Sequence, residues 1–126
     1  MPFAGNPGPL AEALAESTLS YDAKRATVEF AVISANTSGD TTIAAARAGK
    51  QFIVLNYNYM SNGAVNVHWR SATTPITGNA FLVEAGRGKV CPYSPKGWCK
   101  TAIGEALVIN LSAAIAIGGE VAFIAI

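Results

Sequence analysis

Charge is what this chain has least of. Only 13% of its 126 residues are Asp, Glu, Lys or Arg, about half the share of an ordinary soluble domain. A surface so poor in charge covers a lone domain badly, so burial against further copies or a larger assembly is expected. The signs nearly cancel, at a net +1, and without a basic excess nucleic acid is not expected as a main partner. Histidine and cysteine are equally scarce, with one His and two Cys. A structural zinc site needs four ligands, which this set does not supply. Long apolar runs are missing too. The longest near the C-terminus, Ala106 to Gly119, is broken by Asn110 and Ser112 and falls short of the roughly 20 residues of a spanning helix, so no membrane association is expected. No basic stretch followed by an apolar core opens the chain, so no secretion signal is expected and disulfides are not the default. No segment has the length and period of a helix linking parallel strands, which excludes a parallel α/β fold.

What the chain has is alternation. Val65, Val67 and Trp69 share one face of a strand, with Asn66, His68 and Arg70 on the other. Before them Ile53, Leu55, Tyr57 and Tyr59 line up, with Asn56 and Asn58 breaking the opposite face. The Asn62-Gly63 pair between these runs predicts a hairpin. Val28, Phe30 and Val32 alternate over 26–35, Phe81 and Val83 point inward over 79–84, and Leu107, Ile109 and Leu111 alternate over 105–112. Gly118-Gly119 then turns into a last strand, 120–126. About eight short antiparallel strands at spacings near ten residues predict an all-β sandwich or barrel over 26–126.

Residues 1–25 read as an arm. Met1 to Pro9 is rich in Pro and Gly and favours extended chain. Leu10 to Glu16 has the composition of two helical turns, with Leu10 and Leu14 on one side, too short to be stable alone. The arm is either a loose tail or a strap laid on a neighbouring subunit or larger surface.

Candidate chemistry is thin. His68 has no carboxylate at ligand spacing and reads as a surface histidine. The eight carboxylates are scattered, and neither Glu84 nor Glu105 is spaced as one of the facing pair a glycosidase needs. The glycines around Arg87 precede no helix and match no phosphate loop. No enzyme and no cofactor is expected. Cys91 and Cys99 bracket Pro92-Tyr93-Ser94-Pro95-Lys96-Gly97. Either they close a disulfide, worth about 2–3 kcal/mol for so small a loop, or they remain buried thiols. The segment 86–100 gathers Arg87, Lys89, Lys96 and Lys100 with no acid, beside Tyr93 and Trp98. It is either a solvated loop capping the core, or a basic aromatic tip (Arg87, Lys89, Tyr93, Lys96, Trp98) that touches an acidic protein surface or a glycan. Two glycosylation triplets, at Asn36 and Asn110, carry no weight without a secretion signal.

A series of short motifs runs from Ala35 to the C-terminus: Ser38-Gly39-Asp40, Ala48-Gly49-Lys50 opening an apolar strand, Gly63-Ala64-Val65-Asn66-Val67, Thr77-Gly78, the Pro92-Tyr93-Ser94-Pro95-x-Gly97-Trp98 loop, Gly104-Glu105-Ala106-Leu107, Asn110-Leu111-Ser112-Ala113-Ala114 and Gly118-Gly119. Together they resemble a family of small tailed-bacteriophage virion proteins that decorate or cement the head or form head fibres. The resemblance rests on turns and strands; that family has ordinary apolar or aromatic residues where Cys91 and Cys99 stand, which suggests a local staple. It implies a jelly-roll-like sandwich on the outer capsid surface, made in the host cytoplasm, and a homotrimer at threefold positions. The implied partner is the major capsid protein, with other head or spike proteins as further contacts. Phe3, Pro9, Leu10, Leu14 and Tyr21 are then the arm residues that would touch the capsid. The alternative role is a head-fibre or tail-associated domain that recognises host-surface glycan.

Overall fold

Period-two patterning yields strands throughout the computed structural model, which describes residues 18–21 and 24–126, with side chains from Ala26 onward. Among the described residues twelve strands follow one another: β1 Thr18–Tyr21, β2 Lys24–Thr27, β3 Glu29–Ala35, β4 Gly39–Ala44, β5 Phe52–Ser61, β6 Val65–Ser71, β7 Thr74–Pro75, β8 Ala80–Leu82, β9 Gly88–Cys91, β10 Cys99–Lys100, β11 Leu107–Leu111 and β12 Ile117–Ala125. Apart from the β1–β2 ribbon they form two antiparallel sheets packed as a sandwich. The first sheet sets β5 between β12 and the edge strands β9 and β10, with β3 beyond β12; the second runs β4, β11, β6, with β7 and β8 both on β6. If β7 and β8 count as one strand and β9 and β10 as another, eight strands pair first with last. β3 pairs β12, β4 pairs β11, β5 pairs β9 and β10, and β6 pairs β7 and β8. That is a long hairpin rolled into two layers, the winding of a jelly roll.

Between the layers lie Ile33, Phe52, Val54, Tyr57, Tyr59, Val65, Val67, Trp69, Leu107, Ile109, Leu111, Val121 and Phe123. Trp69 is fully enclosed. Tyr57 meets it edge-on at 5.4 Å between ring centres, and Phe52 meets Phe123 the same way at 5.5 Å, the orientation aromatic quadrupoles favour. The Trp69 indole N–H finds no hydrogen-bond partner among the described residues. Thr101 is buried at one end, where its Oγ1 accepts from the Phe52 amide at 2.8 Å.

Four sequence expectations need correction. The Asn62-Gly63 turn makes no hairpin, because β5 and β6 belong to different sheets and do not pair. Asn62 N instead donates to Ala116 O at 2.9 Å as the chain crosses between layers. Within β5, Ala122 pairs with Asn56 but Phe123 pairs with Val54, so Leu55 is an extra residue. This β-bulge reverses the alternation. Val54 and Tyr57 both face the sandwich interior, while Ile53 and Leu55 turn to the outer side. There they join Ile124 and Ile126 in a second small core, against which Ala26 and Val28 pack. In β8 it is Leu82 that is buried, and Phe81 and, just past the strand, Val83 are exposed. Gly118 and Gly119 lie inside β12 rather than in a turn; a Cβ on Gly119 would overlap the Asn58 carbonyl, so glycine lets β12 lie close against β5.

The ribbon also crosses the boundary expected at residue 25. Thr18 to Tyr21 pairs antiparallel with Lys24 to Thr27. Of the expected arm contacts, Phe3, Pro9, Leu10 and Leu14 lie outside the described residues, as does the helical stretch 10–16; Tyr21 lies at the end of β1.

Candidate functional site

The outer face of the first sheet carries more apolar surface than a solvated face requires. On β3 the inward residues are Ala31, Ile33 and Ala35, so the bulkier pair Phe30 and Val32 points out, 78% and 73% exposed. Register places these residues in rows across the sheet. One row runs Val90, Asn58, Glu120, Val32; the next holds Asn56, Ala122, Phe30. Val90 is 76% exposed, and Met60, in the following row, is also exposed. Between the rows lies a cleft of about 180 Å³ walled by Phe30, Val90 and Pro92, with Asn56, Asn58 and Glu120 projecting and Ala122 at its floor. The second small core, with Ala26 and Val28 over it, continues this same face. Apolar patch and N-terminal ribbon are therefore neighbours on one side of one sheet.

The basic aromatic segment does not gather into a tip. β9 and β10 both pair along the edge of β5, Met60 opposite Gly88 and Val54 opposite Cys99, which spreads 86–100 along roughly 20 Å of strand. At one end Arg87 is paired with Glu84, Nη2 to Oε1 at 2.8 Å. The Lys89 ammonium lies 5.8 Å from the centre of the Tyr57 ring. At the other end the Trp98 indole donates to the Pro92 carbonyl at 2.7 Å, closing the loop on itself. Ser94 N and Trp98 N donate to Leu55 O and Val54 O at 2.8 and 2.7 Å, so the loop is strapped to the strand edge. Tyr93, Lys96 and Trp98 remain exposed there.

Cys91 and Cys99 are free thiols rather than a disulfide. They stand opposite Tyr57 and Val54, on either side of the bulge. Burial, reinforced by Cys91, pushes the Cys99 thiol up to about 12 against a smaller opposing effect of Lys89. Burial likewise raises the Tyr57 and Tyr59 phenols well above their usual range. These groups hold their protons at neutral pH and serve as packing.

No known protein family, curated protein or solved structure matches the chain. The reading of the site therefore rests on its own geometry. On the second sheet's outer face, His68 Nδ1 lies 2.9 Å from Asn79 Oδ1, and its Nε2 accepts from Arg70 Nε at 2.9 Å. Arg70 reaches Asp40 at 3.4 Å, and Asn110 donates to Asp40 at 2.7 Å. Each of these groups has its partner in the network, which braces β4, β11 and β6 edge to edge. Among the described residues no three His, Cys, Asp or Glu side chains are grouped to hold a metal. The first sheet's face is different in kind, apolar and, among the described residues, without such a network. Its cleft, at about 180 Å³, is smaller than the roughly 300–1,000 Å³ of a typical small-molecule pocket. Phe30, Val32, Asn56, Asn58, Val90 and Glu120 escaped the sequence reading as a set, although the Asn56/Asn58 interruption of an apolar strand was a visible sign of a solvent-facing row.

Proposed function

We propose that the chain is a capsid decoration protein, a cement domain that binds the outer surface of a major capsid protein shell through the outer face of its first sheet and stabilises the head. The observation that carries this reading is the outward presentation of Phe30, Val32, Met60 and Val90 on one sheet, beside the N-terminal ribbon. Surface of this kind, on a chain with so little charge, is what a docked protein hides. The motif resemblance over residues 35–126 gives the partner its identity. A cement protein adds burial across the seams between shell subunits, and a trimer would multiply modest contacts into firm attachment. The second reading, recognition of host glycan by the 92–98 loop, draws on the exposure of Tyr93 and Trp98. Against it, the Trp98 indole N–H is already engaged with Pro92.

Co-sedimentation of the full chain with shells assembled from the major capsid protein, and separately with intact host cells, tests the proposal. Saturable binding to shells, lost when Phe30, Val32 and Val90 are replaced together by Ser, is the expected result. Binding to cells but not shells, abolished by Trp98→Ala, would replace decoration with receptor recognition.

A further inference from the structure

The cleft on the first sheet holds three planar polar side chains whose hydrogen-bonding groups have no partner among the described residues. Asn56 and Asn58 stand two residues apart on β5, and Glu120 lies directly across from Asn58 on β12. Among the described residues none of the three side chains takes part in a hydrogen bond or ion pair. An amide side chain offers donors and an acceptor, a carboxylate only acceptors. An anion is repelled by Glu120. A free cation satisfies Glu120 but makes no use of the amide N–H groups, which as donors stay with water. A second copy laid face to face about a two-fold axis through the cleft sets Glu120 against Glu120, which like-charge repulsion disfavours.

An extended polypeptide answers all three groups at once. Same-face residues of a strand recur about every 6.6 Å, and Asn56 and Asn58 keep that repeat. Two amides at this spacing meet alternate peptide units of a segment laid along β5, each exchanging N–H and C=O with the ligand backbone. A basic side chain from that segment reaches Glu120 with a charge-assisted bond. Its methylene stem lies against Phe30, Val90 and Pro92, and the cleft of about 180 Å³ is of the size for one such side chain.

We infer that this cleft is a reader of an extended peptide segment bearing a lysine or arginine, with Asn56 and Asn58 holding the backbone and Glu120 selecting the basic residue. The inference rests on the docking reading and names the chemistry of the partner there. The probes are the acetylated, amidated tripeptides Val-Arg-Val, Val-norleucine-Val and Val-Glu-Val, titrated into the ¹⁵N-labelled full chain and followed by NMR. The expected result is shifts at Phe30, Asn56, Asn58 and Glu120, with the Arg peptide binding about tenfold more tightly than the norleucine peptide and the Glu peptide weakest. Glu120→Gln, with an unchanged melting temperature, should abolish the preference for Arg. Equal binding of all three peptides, shifts elsewhere, or a preference that survives Glu120→Gln would overturn it. So would shifts at these residues produced by methyl glycosides and not by the peptides, which would make the cleft a saccharide subsite. Absence of peptide binding together with intact shell binding removes this inference and leaves decoration standing. Loss of shell binding in the wild-type chain removes decoration, whatever the peptides do.

Discussion

Two neighbouring residues of β3 give opposite answers if the first sheet faces the way the structure places it. Ile33 is fully enclosed between the sheets, and Val32 beside it is 73% exposed. Truncating an enclosed isoleucine to alanine removes the transfer energy of its methyl groups and leaves a cavity, at about 2–5 kcal/mol. A central value of about 3 kcal/mol is reasonable in a two-layer core with tight packing on both sides. Each kcal/mol lowers the melting temperature of a domain this size by roughly 4 °C, so Ile33→Ala should lose about 12 °C. A valine is worth about 1.5 kcal/mol when fully buried, and only the covered quarter of Val32 counts, which gives about 0.4 kcal/mol for Val32→Ala. That is a shift of roughly 2 °C. Circular-dichroism melts of the two variants, checked for coincident near- and far-UV transitions, decide the matter. Equal losses, or a larger loss for Val32, would mean that the faces of β3 are exchanged. The exposed surface on which docking rests would then not exist.

Other parts of the structure make sharper claims on less surface. Thr101→Val keeps the shape of the side chain but strands the buried Phe52 amide that Thr101 Oγ1 serves at 2.8 Å; it should cost about 1–3 kcal/mol in denaturant unfolding, whereas Thr101→Ser, which retains the acceptor, should cost less. Because burial holds the Cys99 thiol near 12, Cys99 should react with a thiol reagent at pH 8 far more slowly in the native chain than in denaturant, where both cysteines should titrate as free thiols; one mole of thiol or none in the denatured, unreduced chain would contradict the free pair. The Arg47 guanidinium, 2.7 Å from Glu29, holds that carboxyl below its usual range. A carboxyl whose folded value lies below its unfolded one stabilises at neutral pH, and the stabilisation fades as pH falls through the unfolded value of about 4.5 toward the folded one. Arg47→Met should therefore lower stability slightly at pH 7 and flatten the loss between pH 5 and pH 3; an unchanged acid limb would show that the pair adds nothing.

Strands with one wet face and one dry face were legible in the sequence. β6 alternates cleanly because Val65, Val67 and Trp69 all meet the interior, and β11 sends Leu107, Ile109 and Leu111 there too, although Val108 on its other face is also buried. β5 was misread because apolar residues on both of its faces are buried, so composition no longer marks a side, and the extra residue at Leu55 then inverts the phase halfway along. Nothing local announces that bulge; it exists because β12 pairs across it. The Asn62-Gly63 pair was read correctly as a turn and wrongly as a hairpin. Turn chemistry fixes how sharply the chain bends, while the strand that each arm joins is settled by pairing with residues such as Ala116, far along the sequence.

The outward bulk of β3 and the misreading at β8 are of another kind, and they bear on function. In both strands the bulkier apolar residues, Phe30 and Val32 or Phe81 and Val83, face outward, and smaller or fewer ones face the core. Periodicity alone predicts the reverse, because it assumes that apolar bulk is spent on the chain's own interior. Where local pattern and observed burial disagree in an otherwise consistent fold, the surplus is best sought outside the chain. On β8 that surplus stands beside the braced network of His68, Arg70, Asp40 and Asn110. On β3 it borders a cleft whose two amides and carboxylate have no partner among the described residues, and a ribbon that continues the same face. The readings of the two surfaces thus differ in how polar groups and apolar bulk are combined. A carboxylate, two amides, apolar walls and the ribbon come together on the first sheet, which is why we propose the contact there and not on the second.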